Sequence, residues 1–223
     1  MEIDINNIKS IIFDMDGVIF DTELVYLEIW SKVFEKYGYK LQKEVYAEVL
    51  GTGRENVKKV FLNNYGNELP IDKMYREKDE DLEKAVDKGI PLKQGAYEIL
   101  SYLKNNNYKI ALATSASKER ALKQLRYADI EKFFDVIVSR DDVKETKPNP
   151  DIFLKAAKKL NVNPNECIVI EDSSAGIKAA FNAGMAGIHV VDLKEPDNEI
   201  IRNCYKSFNN LNDIRKEIEM LRG

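Results

Sequence analysis

Apolar residues change their spacing along this chain, and the change divides it in two. Ile8 to Phe13 is an apolar-rich run of strand length. Tyr26, Ile29, Trp30, Val33, Phe34 and Tyr37 then recur at helical spacing, and Gly38 marks the stop. Helical patterning continues through Glu44 to Leu50, Asn56 to Tyr65 and Ile71 to Asp87, until Gly89-Ile90-Pro91 breaks it. Beyond Gly95 the pattern alternates. Helices over Ala96 to Asn105, Lys118 to Tyr127, Asp151 to Leu160 and Ala175 to Ala183 precede short apolar runs. Those runs are Lys109 to Thr114, Phe134 to Val138, Cys167 to Ile170 and Gly187 to Val191. Leu211 to Leu221 reads as a terminal amphipathic surface helix.

Strands alternating with helices predict right-handed crossovers and a parallel sheet covered on both faces. The strands' apolarity agrees, because such strands are buried on both sides. The expected fold class is therefore α/β: a doubly wound, Rossmann-like parallel-sheet core with an inserted all-helical block. The core is expected over residues 1–19 and 91–223 and the helical block over 20–90, with hinges at Phe20-Asp21 and Lys88 to Leu92.

Composition narrows the function classes. With 223 residues and 44% hydrophobic content, the chain can bury a sizeable core. The net charge of -4 is spread along the chain, without a basic block for nucleic acid. Cys167 and Cys204 lie far apart and suggest neither a disulfide framework nor a zinc knuckle. Met1 to Asn7 is acidic and lacks the apolar stretch of a secretory signal. No apolar run approaches the ~20 residues of a membrane span. A cytoplasmic protein with neither nucleic-acid nor membrane partners is expected, with a monomer favoured.

In open α/β sheets ligands bind beyond the carboxyl ends of the strands, so the strand ends carry the information. The first strand ends in Asp14 and Asp16, with Gly17 permitting a sharp turn. Two carboxylates so placed repel and resist desolvation, and a divalent cation is the economical partner. The second strand ends in Thr114-Ser115, and the fourth in Glu171-Asp172 before Ser173-Ser174-Ala175-Gly176. Thr146-Lys147-Pro148-Asn149-Pro150-Asp151 lies before the fourth. Phosphoryl transfer needs these parts: a nucleophile, an acid for the leaving oxygen, cations, and small donors for the phosphoryl oxygens. Asp14 can be the carboxylate nucleophile and Asp16 the general acid. Asp172, with Glu171, can hold Mg²⁺ through hard oxygens. Lys147 adds positive charge, and Thr114 can donate to a phosphoryl oxygen. Taken singly, each has a plainer reading: Lys147 as a solvated lysine, Thr114-Ser115 as a helix N-cap, Glu171-Asp172 as a capping pair.

The combination, in this order, closely resembles the haloacid dehalogenase superfamily of phosphatases and phosphomutases. Asp14-Met15-Asp16-Gly17 is similar to its first motif, Thr114 to its second, Lys147-Pro148 to its third and Glu171-Asp172 to its fourth. The flanking Asp21-Thr22-Glu23 supports the likeness, which spans essentially the whole chain. The resemblance implies Asp14 as nucleophile, Asp16 as acid/base, and Mg²⁺ held by the Asp14 side chain, the Asp16 carbonyl and Asp172. A helical insert directly after the first motif resembles the β-phosphoglucomutase-like subgroup, in which the insert is a cap. Gly51-Thr52-Gly53-Arg54-Glu55 resembles that subgroup's cap loop, and Arg54 matches its phosphate-binding arginine. An exposed arginine on a helix's first turn is the plainer reading of Arg54. Arg54, Ser115 and Thr22 are thus the candidate substrate-binding residues.

One departure stands out. Tyr26 occupies the place of a histidine that supports the acid/base aspartate in sugar phosphomutases. Tyrosine does not titrate near neutrality, which favours a phosphatase. Packing within the helical block is the alternative role for Tyr26. His189, inside an apolar run, reads as a packed strand residue, and Trp30 and its aromatic neighbours as core. The expected function is Mg²⁺-dependent hydrolysis of a small phosphomonoester, such as a sugar phosphate, through an aspartyl-phosphate. The alternatives are a phosphosugar mutase and a non-catalytic protein that binds a phosphate ligand.

Overall fold

The computed structural model describes residues 5–50, 52–193 and 195–222. Gly51, the first residue of the arginine-bearing loop singled out above, lies outside them. The chain divides into two compact units, Met1–Asp21 with Pro91–Gly223, and Thr22–Ile90.

The first unit is built on a six-stranded parallel sheet. Its strands are β1 (Ser10–Phe13), β2 (Lys109–Ala113), β3 (Val136–Val138), β4 (Cys167–Glu171), β5 (Ala186–Val190) and β6 (Lys206–Phe208), in the order β3-β2-β1-β4-β5-β6. The central strands β1 and β4 are buried along their whole length, as their apolar runs require. Alternation along the strands sorts their side chains onto two faces. Ile12, Ala111, Val138 and Val169 pack with Phe153, Ala156, Ala179 and Ala180 of α7 (Asp151–Leu160) and α8 (Ser174–Asn182). The other face carries α5 (Ala96–Asn105), which packs on β2 and on α10 (Leu211–Arg222). From β1 the chain winds outward to β2 and β3, then crosses to β4 on the other side of β1. The topological switch point therefore lies between β1 and β4, and a ligand crevice opens beyond their carboxyl ends.

Two elements were not expected from the sequence: α9 (Asn198–Asn203) and the edge strand β6. α9 spans only six residues and starts because the Asp197 side chain accepts from the backbone N–H groups of Glu199 and Ile200. β6 reads Lys-Ser-Phe, with no apolar run to announce it. β3 is shorter than expected, because Glu131–Phe133 forms a 3₁₀ turn and the strand begins only at Val136.

The second unit is all-helical: α1 (Thr22–Lys36), α2 (Lys43–Val49), α3 (Arg54–Tyr65) and α4 (Ile71–Lys88). Its core is aromatic. Trp30 meets Phe34, Phe61 and Tyr75 edge to face, and Phe34 meets Phe61 and Tyr65 likewise. Among the described residues, no helix is long and apolar enough to cross a membrane.

Candidate active site

The register of the sheet assembles the site. Phe13 stands level with Leu112 on β2 and Ile170 on β4, so Asp14 follows level with Ala113 and Glu171. The Asp14 N–H still donates to the Ile170 carbonyl at 3.0 Å, which holds this aspartate on the strand line. The chain then turns at once. Gly17 has φ +76°, its N–H donates to Phe20 O at 2.9 Å, and Phe20 N–H donates to Met15 O at 3.0 Å. A β-carbon on Gly17 would lie 2.2 Å from Asp172 Oδ2, so both conformation and space require glycine there.

Lys147 is the hub. Its side chain is 7% exposed, and its ammonium is shared by three acceptors. It pairs with Asp14 Oδ1, with Glu171 Oε1 at 2.7 Å and with the Ala113 carbonyl at 3.1 Å. An ammonium has three N–H groups, and all three are used. The solvated-lysine reading is thereby corrected: Lys147 neutralises two buried carboxylates, a contact visible only once β2 and β4 flank β1.

Glu171 is held on its other oxygen as well. Ser173 donates both its N–H and its O–H to Glu171 Oε2, each at 2.9 Å. Ser173, not Glu171-Asp172, is the N-cap of α8, accepting from Gly176 N–H at 3.1 Å. The glutamate carboxylate lies directly over Gly176, where a β-carbon would come within 1.8 Å of Oε1. Gly176 is thus a supporting residue whose role depends on what folds over it.

Asp14, Glu171 and Asp172 each present one oxygen, and these three oxygens lie within 4.8 Å of one another. Two of these carboxylates, Asp14 and Glu171, are buried and share the single Lys147 ammonium, which leaves excess negative charge at a buried place. Hard oxygen donors with unbalanced negative charge fit a divalent cation such as Mg²⁺. The titration behaviour has the same origin. Burial, with repulsion from Glu171 and Asp16, pushes Asp14 up to about 7 although Lys147 pulls it down. Burial acts on Glu171 too, but Lys147 and the Ser173 hydrogen bonds hold it below the usual carboxylate range. Burial would discharge Lys147, yet Asp14 and Glu171 keep it above the ordinary lysine range.

The remaining candidates fall into place unevenly. Thr114 is buried, and its Oγ1 accepts from Ala116 N–H at 3.0 Å, leaving its O–H proton to donate elsewhere. It is not a helix cap, and neither is Ser115: α6 (Lys118–Tyr127) is capped by Ser117, which accepts from Arg120 N–H at 3.3 Å. Ser115 is exposed. Asp16 pairs with Arg120, Nη2 to Oδ1 at 2.6 Å. Sequence reasoning missed Arg120, which sits 104 residues away on α6. It also missed what His189 does. That imidazole is buried, with Nε2 3.1 Å from the Asp172 carbonyl and Nδ1 3.0 Å from Ser207 Oγ. A carbonyl only accepts, so Nε2 carries the proton and Nδ1 accepts from the serine. Burial lowers its pKa, so the ring is a neutral strut under the Asp172 backbone.

Thr22 and Arg54 belong to the helical unit. Thr22 is buried at the start of α1. Arg54 opens α3, stacks 4.2 Å over the Tyr75 ring and reaches Asp79 at 3.3 Å. With Tyr26, Tyr46, Thr52, Tyr75 and Lys78 it lines a cavity of about 330 Å³ inside that unit. Lys78 lies 5.3 Å over the Tyr26 ring, so Tyr26 packs against a cation within its own unit.

Comparison with known proteins shows the family. Residues 11–190 match the family model described as haloacid dehalogenase-like hydrolase. The chain is similar to a phosphorylated carbohydrates phosphatase of Thermotoga maritima, 34% identical over 82% of this chain and 85% of the relative. It is 36% identical to a β-phosphoglucomutase of Bacillus subtilis, over 82% of this chain and 83% of the relative. Among solved structures, a β-phosphoglucomutase from Clostridium difficile superposes with a TM-score of 0.69 at 30% identity, covering 96% of this chain and 98% of the other.

Proposed function

The chain belongs to the haloacid dehalogenase-like hydrolases, and from that premise we propose that it is a Mg²⁺-dependent phosphatase of small sugar phosphates. One observation carries the reading: Asp14, at the switch point of the sheet, shares the buried Lys147 with Glu171 and converges with Asp172 on one place.

Asp14, Glu171 and Asp172 would hold the cation. When bound, it would offset the charge between carboxylate and phosphate and polarise the phosphoryl oxygens. The rest falls to the chain's own groups. A carboxylate oxygen of Asp14 attacks phosphorus, and the bond from phosphorus to the leaving oxygen breaks. Asp16, as the carboxylic acid, gives its proton to the departing alkoxide. Water then attacks the aspartyl-phosphate, Asp16 takes up a proton from it, and phosphate leaves with Asp14 restored. Lys147 fixes Asp14 in its attacking position and lowers the charge against which the phosphoryl group must approach. The Thr114 hydroxyl, its lone pair committed to Ala116 N–H, is set to donate to a phosphoryl oxygen. Asp16 must release Arg120 to act, so that ion pair belongs to the resting enzyme.

A phosphosugar mutase is the second reading, and the identity with the Bacillus subtilis β-phosphoglucomutase favours it. Arg54 would then grip the second phosphate of a bisphosphate. The two readings separate in one experiment: purified enzyme against a panel of sugar phosphates, in Mg²⁺ and in EDTA, with and without a sugar bisphosphate. Phosphate release in Mg²⁺ that needs no bisphosphate supports the phosphatase. Isomerisation that starts only with bisphosphate supports the mutase. Equal phosphate release in EDTA would overturn the metal assignment.

A further inference from the structure

Asp192 lies two residues beyond β5, on the same sheet edge as the site, and nothing in the mechanism above uses it. Its side chain is 6% exposed. Lys93 pairs with Oδ1, and the same ammonium lies 3.7 Å from Asp21. Oδ2 is buried and accepts no hydrogen bond among the described residues. That oxygen has a definite direction. It lies 3.2 Å from the point where Gly17 would carry a β-carbon, and Asp172 Oδ2 lies 2.2 Å from the same point. Two carboxylates thus converge on one glycine, and only one of the four oxygens is neutralised by Lys93.

A buried carboxylate oxygen with no donor is costly and calls for a partner. The neighbouring lysine is already committed to the other oxygen. Mg²⁺ sheds water reluctantly and commonly keeps several waters when protein-bound. Those waters are strong donors, and acceptors beyond the direct ligands orient them. We propose that Asp192 is a positioning residue of the divalent-cation site, its Oδ2 accepting a hydrogen bond from the cation's hydration shell beside Asp172. Lys93 occupies Oδ1 and leaves Oδ2 as the oxygen without a protein donor. The inference rests on reading Asp14, Glu171 and Asp172 as that site.

The test is calorimetric titration of MgCl₂ into metal-stripped full-length protein, which reads affinity without turnover. Asp192→Asn is expected to weaken Mg²⁺ binding about tenfold or more, the range typical of lost outer partners. Lys93→Met keeps the carboxylate and frees it from its counter-charge, so its Mg²⁺ affinity is expected to stay level or tighten. Should Asp192→Asn fold poorly because Lys93 loses its nearer carboxylate, the double variant Lys93→Met/Asp192→Asn removes both charges and carries the same expected weakening. Asp192→Asn binding within about twofold of wild type would overturn the proposal, since outer-partner losses exceed that. So would equal weakening by Asp192→Asn and Lys93→Met, which would make the pair a purely structural clamp. Wild-type protein that binds no Mg²⁺ is a distinct result: it removes the cation site itself and this inference with it.

Discussion

Replacing Lys147 with methionine keeps the length and apolar stem of the side chain and deletes its charge. The consequence follows from burial. Lys147 is 7% exposed, Asp14 10% and Glu171 1%, so water cannot take over the lost role. Removing one partner of a buried ion pair costs about 3–5 kcal/mol. Here two carboxylates are stranded, but one has an escape: Asp14 already titrates at about 7, so protonation relieves part of the repulsion near neutrality. The expected loss in metal-free protein is therefore about 3 kcal/mol at pH 8, at the low end of that range. The sign of the pH dependence is fixed by linkage. Asp14 has a folded pKa raised above its unfolded value of 3.8, so the folded state binds the extra proton and stability falls as pH rises from about 4 to 7. Without Lys147 that folded pKa rises further, so the mutant's deficit must shrink as pH is lowered from 8 to 5.5. Urea denaturation in EDTA at the two pH values measures both effects. Added Mg²⁺ should then stabilise the mutant more than the wild type, because it supplies the missing positive charge. A loss below about 1 kcal/mol at pH 8, or the same loss at both pH values, would refute the view of Lys147 as the neutralising hub.

Asp16→Asn should slow hydrolysis of sugar phosphates about a hundredfold more than that of p-nitrophenyl phosphate, whose leaving group needs no proton; parallel losses would contradict the acid role. Gly176→Ala should cost about 1–3 kcal/mol and lower kcat, because the new methyl group must displace the Glu171 carboxylate that Lys147 and Ser173 hold; unchanged denaturation and turnover would show that this helix start yields freely. Arg54→Ala should lower kcat/KM for sugar phosphates about tenfold, the worth of one charge-assisted hydrogen bond, and barely alter that for p-nitrophenyl phosphate. Equal rates on every substrate would leave Arg54 with no role beyond its stacking on Tyr75.

Local chemistry made much of the fold legible. Lys118–Tyr127 and Asp151–Leu160 are bounded in the structure as in the sequence reading, because Ser117 caps one helix and Pro150 precedes the other. The apolar runs of β1 and β4 were equally plain, since both strands are buried on two sides. α9 and β6 escaped because neither has an apolar period long enough to announce it. At the site, the acidic residues were visible as residue types at strand boundaries, and Lys147 through the Lys147-Pro148 pair in the loop before α7. The supporting contacts were not. Arg120 on Asp16 and His189 under the Asp172 carbonyl join residues 104 and 17 positions apart, and the space that Gly176 leaves for Glu171 appears only once α8 folds back over the end of β4. No local pattern encodes the first two pairings, which appear only when the sheet sets β2 beside β1 and β5 beside β4.

The central claim is that Asp14 carries the phosphoryl group. Rapid acid quench of the enzyme during turnover of a sugar phosphate, followed by peptide mass spectrometry, tests it most directly. A phosphoryl adduct on Asp14 is expected, forming and decaying at rates consistent with kcat. Steady turnover with no adduct at Asp14, or with the adduct on another residue, would contradict it.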